Sequence, residues 1–198
     1  MLKKAAVTLI SVLFFLVAKA QSADSVYNQY LDFNLARFQG QQDRAAVLGE
    51  NLIPLADKLP EKARTSFYFS IGKIYEDDEQ PDKALPFYEK VAVAVPDYYV
   101  VRRALGYIYL DKAKAIEDKI SLQTTNSSTA DSLKGAYLKM VQKTLPHLEK
   151  AQACDPSDDT LAIIKTLYEK INDSKGLAAL DDRLKQLAKS CVDVLSDN

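Results

Sequence analysis

Residues 68–96 read "YFSIGKIYEDDEQPDKALPFYEKVAVAVP". Two apolar-patterned halves flank a polar centre. Tyr68, Ile71, Gly72 and Tyr75 recur at the three-to-four spacing of one helix face. Ala84 and Tyr88 do the same in the second half, and Pro96 stops it, because proline lacks an amide donor and clashes with the preceding turn. The acidic centre, "EDDEQ" at 76–80, reads as the solvated turn between two helices. Gly72 and Ala84 are small where the two helices would cross closely. Tyr68, Ile71, Tyr75 and Tyr88 would fill the space around that crossing.

Working outward, pieces of this stretch recur. "RALGYIYLD" at 103–111 sets Leu105, Gly106 and Tyr109 34 residues after Ile71, Gly72 and Tyr75. "KTLPHLEK" at 143–150 repeats "KALPFYEK" at 83–90 sixty residues on. Leu148 then stands where Tyr88 stands, and His147 where Phe87 stands. Ala151 extends the second packing face, and Pro156 follows as Pro96 does.

Written as Y-x2-I-G-x2-Y…A-x3-Y…P, residues 68–96 resemble the tetratricopeptide repeat, W-x2-L-G-x2-Y…A-x3-F…P, with Tyr68 in place of Trp. The clear resemblance covers 65–109 and 143–156. It implies an all-α, right-handed solenoid of antiparallel helix pairs, since one pair cannot bury its own apolar face and stacked pairs can.

The two long phrases sit sixty residues apart rather than 34, so 26 extra residues lie between Tyr109 and Thr144. Their middle, "QTTNSSTA" at 123–130, is polar. Leu110, Ala113, Ile116 and Ile120 before it, and Leu133, Ala136, Tyr137, Met140 and Val141 after it, keep helical spacing. The spacing predicts that both helices of this pair are lengthened by about three and a half turns. They would form a hairpin over 110–145 projecting roughly 20 Å beyond its neighbours.

The ends are weaker copies. Tyr27, Tyr30, Leu31, Asn34 and Phe38 are read as one helix face, with Gly40 as its stop. Val47, Leu48, Leu52, Leu55 and Leu59 continue as a second helix before Pro60. Leu161, Ile164 and Tyr168 would face Leu177, Leu180, Leu184 and Leu187 across "NDS". The expected pairs are about 25–59, 61–95, 98–155 and 159–192.

The N-terminus has a different character. Lys3 and Lys4 precede the apolar run "AAVTLISVLFFLV" at 5–17, and "AKA" follows. This is the layout of a secretory signal peptide, residues 1–20, with cleavage near Ala20. The run falls short of the roughly 20 residues an uncleaved membrane anchor needs. The expected mature chain, 21–198, has no integral membrane segment and is periplasmic or secreted. Without Lys3, Lys4 and Lys19, 23 basic side chains meet 27 acidic ones. A net charge of −4 without a long basic run gives no reason to propose nucleic acid as a partner.

Function is read mainly from the resemblance. First helices of successive tetratricopeptide pairs line a groove that binds peptides or protein surfaces. Carried over, the groove candidates are Phe69, Lys73 and Glu76, then Arg103, Tyr107 and Leu110, with Tyr98 and Tyr99 at the entrance. The alternative is that Phe69 and Tyr107 simply pack on a neighbouring helix. The expected role is a non-catalytic scaffold for a protein or peptide partner in the cell envelope or outside the cell. The alternative is a subunit of an envelope assembly that docks through the hairpin 110–145. An enzyme reading has little support, since HExxH, Walker and CxxC motifs are absent. No cofactor or metal is expected, and the lone His147 reads as a helix-face residue. Cys154 and Cys191 could form a disulfide or serve as two separate seam fillers. The triplets at Asp24, Asp131 and Asp159 resemble an O-glycosylation signal of some exported bacterial proteins. They read more simply as caps opening three helices.

Overall fold

A computed structural model of the chain describes residues 24–122 and 127–195. The segment read as a signal peptide lies outside these residues, as do 123–126 of the predicted hairpin loop. Among the described residues the fold is all-helical, with packed helix pairs and no strand beyond one isolated bridge. None of its helices is long and apolar enough to cross a membrane. Contacts divide the chain into two compact units, meeting in sequence between Ile74 and Tyr75.

The first unit holds α1 (24–38), α2 (Gln42–Leu52), a 3-10 helix (Ile53–Lys58) and most of α3 (Glu61–Asp77). Its core is Tyr30, Phe33, Leu52, Phe67 and Ile71, with Phe33 edge-on to Phe67 at 5.2 Å. Two expectations change here. The single helix read from Val47 to Leu59 is an α-helix to Leu52, then a 3-10 helix starting next to Pro54. The ring of Pro54 cannot continue α-type hydrogen bonding, and a tighter turn absorbs it. On α1 the packing face is Val26, Tyr30, Phe33 and Ala36. Tyr27, Leu31, Leu35 and Phe38 form a second apolar stripe that faces out, Phe38 being 83% exposed. The face read from the sequence mixed these two sets, because both recur at helical spacing.

The second unit holds α4 (Pro81–Ala94), α5 (Tyr99–Leu122), α6 (Ser127–Cys154), α7 (Asp158–Lys170), α8 (Ser174–Ala178) and α9 (Leu180–Leu187). Packing runs from α4 to α5, from α5 to α6, and from α6 to both α7 and α9. The apolar centre joins Leu110, Ala113, Val141, Leu145, Leu148, Ile164, Leu167, Tyr168 and Leu180. α5 crosses α6 at Gly106. A Cβ there would lie 2.4 Å from Leu148 Cδ2 and 3.2 Å from the Leu148 backbone nitrogen. Leu148 stands at the place of Tyr88, so at this pair the glycine of the first helix meets a large side chain of the second, not the small counterpart read at Gly72 and Ala84.

Three of the turns within pairs share one device. Gly40, Glu79 and Asn172 all have positive φ, 71°, 56° and 56°. At each, the next amide donates to the carbonyl five residues back: Gln41 to Ala36, Gln80 to Tyr75, and Asp173 to Tyr168. The positive-φ residue itself donates three residues back. This is the Schellman helix stop. The next helix begins two residues after each of these residues, at Gln42, Pro81 and Ser174.

The long pair is real but unequal. α5 has 24 residues and α6 has 28, against 17 in α3 and 14 in α4. The excess is about two turns on one side and four on the other, not three and a half on each. α6 begins at Ser127, so residues 127–130, read as loop, are helical. The hairpin is also less free than expected. Lys170 of α7 reaches Glu117, which leaves 118–122 of α5 beyond that contact, about 8 Å at 1.5 Å per residue. On the other side Lys112 pairs with Asp82 of α4.

The last second helix, expected to run to about 192, breaks at Ala179 and ends at Leu187. Residues 190–193 then lie beside the start of α5. Val192 accepts from the Tyr99 amide at 3.1 Å and donates to the Asp97 carbonyl at 2.9 Å. Cys154, the last residue of α6, is bonded to Cys191, with Cα atoms 5.7 Å apart.

Candidate functional site

The sequence candidates divide by unit. In the first, Lys73 is exposed and Phe69 half-buried on α3. In the second, Glu76 accepts the Tyr88 hydroxyl at 2.7 Å, and burial, reinforced by this hydrogen bond, pushes the Tyr88 phenol up. Tyr98 and Leu110 are not groove residues, being only 4% and 3% exposed. Leu110 belongs to the apolar centre of the unit. Tyr98 precedes the first turn of α5 and is bridged to Val192; burial raises its phenol to about 12. Tyr107 is half-buried and exchanges a hydrogen bond with Thr160 at 2.9 Å, so the packing alternative holds for it. Arg103 is committed to the end of α6. It pairs with the Asp155 carboxylate at 2.7 Å, donates to the Asp155 carbonyl at 2.9 Å, and lies over the Tyr99 ring.

The helical packing candidates are buried, each within its own unit. Tyr68, Ile71, Gly72, Tyr75, Ala84, Tyr88, Leu105, Gly106, Tyr109, Leu148 and Ala151 are all buried. Pro96 and Pro156 are exposed, in the turns that follow α4 and α6. The two phrases also make the same contacts. Tyr75 stacks on Phe87 at 5.9 Å with Lys83 over its ring. Tyr109 packs on His147 at 5.6 Å with Lys143 over its ring. Each partner in the second set stands 34 or 60 residues after its counterpart.

Junctions between pairs repeat too. The Tyr109 hydroxyl donates to Glu89, which also takes Lys143 at 2.9 Å. The Tyr168 hydroxyl donates to Glu149 at 2.5 Å. Glu149 is buried and held by Arg183 through both carboxylate oxygens, at 2.8 and 3.0 Å. Arg183 also donates to the Gly176 carbonyl. These acids are sixty residues apart, and each ties a second helix to the first helix of the next pair. Burial and the glutamate push the Tyr168 phenol up. The Tyr109 hydrogen bond, helped by Lys143, holds the Glu89 carboxyl below the usual range.

His147 lies between charges. Its Nδ1 is 3.3 Å from Arg102 Nη1, and Lys143 and Glu89 face it. Burial, reinforced by Arg102 and Lys143, lowers its pKa to about 4. Among the described residues no group of three or more His, Cys, Asp or Glu is placed to hold a metal ion.

Two of the three Asp-Ser/Thr triplets do not cap helices, although Asp159 lies in the first turn of α7. Asp131 lies inside α6. The cap of α7 is Ser157, whose hydroxyl accepts from the Thr160 amide at 3.4 Å. Thr160 itself is buried at 3% exposure, with its hydroxyl engaged by Tyr107.

One feature of the second unit was missed from sequence. A cleft of about 220 Å³ opens between α5, α6 and α7 at the base of the hairpin. Leu110, Ala113 and Leu167 form its floor, Tyr137 and Ile163 its walls. Lys114, Glu117 and Lys170 stand at its mouth. Lys170 grips both oxygens of Glu117 at 2.6 and 2.8 Å. The signal was present, since Lys114 and Lys170 share predicted helix faces with core residues. Without knowing where α7 lies against the hairpin it could not be read.

Comparison with protein-family models, with curated proteins and with solved structures finds no match.

Proposed function

We propose that the chain is a non-catalytic, tetratricopeptide-like interaction scaffold, exported through an N-terminal signal peptide and binding a protein or peptide in the cell envelope or outside the cell. The supporting observation is the repetition of contacts at matched positions. The Tyr–Phe/His–Lys set within pairs occurs twice at matched positions, and a Tyr–Glu junction between pairs occurs twice with its acids 60 residues apart and its tyrosines 59. A right-handed solenoid accounts for both, and in such folds first helices offer their outer residues to ligands. Phe69, Lys73, Glu76, Tyr99, Arg103 and Tyr107 are each at least partly accessible.

A second reading, docking through the hairpin, has its own support. Leu122 and Leu138 are 81% and 40% exposed on the lengthened helices. Tagged protein can be used to capture a stoichiometric partner from native envelope extract. Loss of that partner on Phe69→Ala with Lys73→Glu, helical content unchanged, supports the groove. Loss on Leu122→Asp with Leu138→Asp supports the hairpin. Retention of the partner by both double variants rejects both.

A further inference from the structure

We propose that the cleft between α5, α6 and α7 receives one apolar side chain, of leucine size, from a partner polypeptide whose adjacent carboxylate meets Lys114. This rests on the interaction-scaffold reading and gives it a site and a ligand chemistry. The size argument comes first. At about 220 Å³ the cleft is smaller than the roughly 300–1,000 Å³ of sites that enclose a whole organic ligand. It suits a single anchoring side chain. Its lining is mainly apolar, from Leu110, Ala113, Tyr137, Ile163 and Leu167, with the exposed Thr166 the one hydroxyl besides that of Tyr137. Among the described residues no buried side-chain nitrogen or oxygen lacks a hydrogen-bond partner, so no polar group in the floor asks for a polar ligand.

Charge then sets the second part of the ligand. Of the three charged groups at the mouth, Lys170 and Glu117 satisfy each other. Lys114 is the excess cation. Its contact with Asp111, 3.3 Å away and one turn back on the same helix, joins two largely exposed side chains. A pair of that kind is weak, so exchanging Asp111 for a ligand carboxylate costs little. A single cation held only by that exposed pair matches one carboxylate, not a polyanion. Ala162 is exposed at the rim, opposite Lys114's helix, where a larger side chain would block entry.

The test uses N-acetyl-leucine, N-acetyl-leucinamide and hexanoate, titrated against isotope-labelled protein and followed by backbone amide shifts. N-acetyl-leucine should give saturable shifts confined to residues 110–117, 137 and 162–170. The amide should bind roughly two- to fivefold more weakly, the worth of one exposed ion pair. Lys114→Gln should bring the acid to the level of the amide. Ala162→Phe should abolish the shifts while helical content stays. Absence of saturable shifts at those residues overturns the cleft as a receptor. Equal binding of acid and amide overturns the carboxylate, and tighter binding of hexanoate overturns a polypeptide source. A partner captured as described above but undiminished by Ala162→Phe also overturns the cleft, while leaving the scaffold reading intact.

Discussion

Glu79 is held at φ 56°, a conformation that costs an L-residue roughly 1–2 kcal/mol and glycine almost nothing. Gly40 fills the equivalent turn of the first pair. Glu79→Gly should therefore raise stability by about 1 kcal/mol, less what glycine adds to the entropy of the unfolded chain. Chemical denaturation of the two proteins side by side checks this, and a less stable variant would remove the turn assignment. His147 gives a second residue-scale test. Its native pKa of about 4 lies below the ordinary value of 6.5. The unfolded chain thus binds more protons between those values, and the stabilising effect of neutral His147 is complete above pH 6.5. It is lost as pH falls through about 4, and with allowance for partial exposure it amounts to roughly 2–3 kcal/mol. The faces around it are Arg102 and Tyr109 from α5, Lys143 from α6 and Glu89 from α4. His147→Phe, which copies Phe87, should flatten the unfolding free energy over that range. An unchanged slope would mean that other groups dominate it. The equivalence of His147 with Phe87 was legible in the two phrases. The strain at Glu79 was not, because "EDDEQ" contains no glycine to mark a left-handed position.

Individual helices were easier to find than to orient. α1 carries apolar residues on two faces, so periodicity alone cannot say which face packs. The buried face predicts a sharp contrast. Phe33→Ala removes a fully buried ring set against Phe67 and should cost about 3–5 kcal/mol. Leu31→Glu, at 47% exposure, should change stability by less than about 0.5 kcal/mol. Thermal melts of both variants would test the orientation; equal losses would reverse it. The hairpin raises a related point about where an element stops being core. A cut that restores the 34-residue spacing, removing 115–140, takes out Glu117, Tyr137 and Met140. All three sit against α7 or the apolar centre. Removing 118–136 with a short glycine turn spares them. The shorter deletion should keep a single cooperative unfolding transition, whereas the longer one should lower the midpoint clearly. The sequence located the insertion through its 26-residue delay. It could not show that α7 covers the base, since α7 follows the insertion by position but packs on it through a long-range contact.

Across the molecule, the least legible feature is the clasp that holds the C-terminal segment. Three stretches distant in sequence meet there: Asp97 before α5, Lys150 near the end of α6, and Leu187 to Val192 after α9. Lys150 is buried and pairs with the Asp97 carboxylate at 2.7 Å. It also donates to the carbonyls of Leu187 and Ser190. Ser190 donates its hydroxyl to Asp97 at 2.9 Å, and the Lys150 hydrogen bond, then that of Ser190, holds this carboxyl below its usual range. A carboxyl so lowered stabilises the clasp above its unfolded pKa and stops doing so as pH falls through the native value. The disulfide closes the same region, spanning a separation of 37 residues that contains α7, α8 and α9. By loop-closure entropy such a bond contributes about 3–4 kcal/mol. Cys191→Ser with Cys154→Ser should lose about that much, measured by urea unfolding. Because Lys150 and the Tyr99–Val192 bridge remain, the double variant should still fold and keep slow hydrogen exchange at the Tyr99 and Val192 amides. Adding Lys150→Met should release that protection, since the two carbonyls and the Asp97 carboxylate lose their shared donor together. Fast exchange at both amides in the cysteine double variant alone would show that the covalent bond, and not the lysine, seats the C-terminal segment.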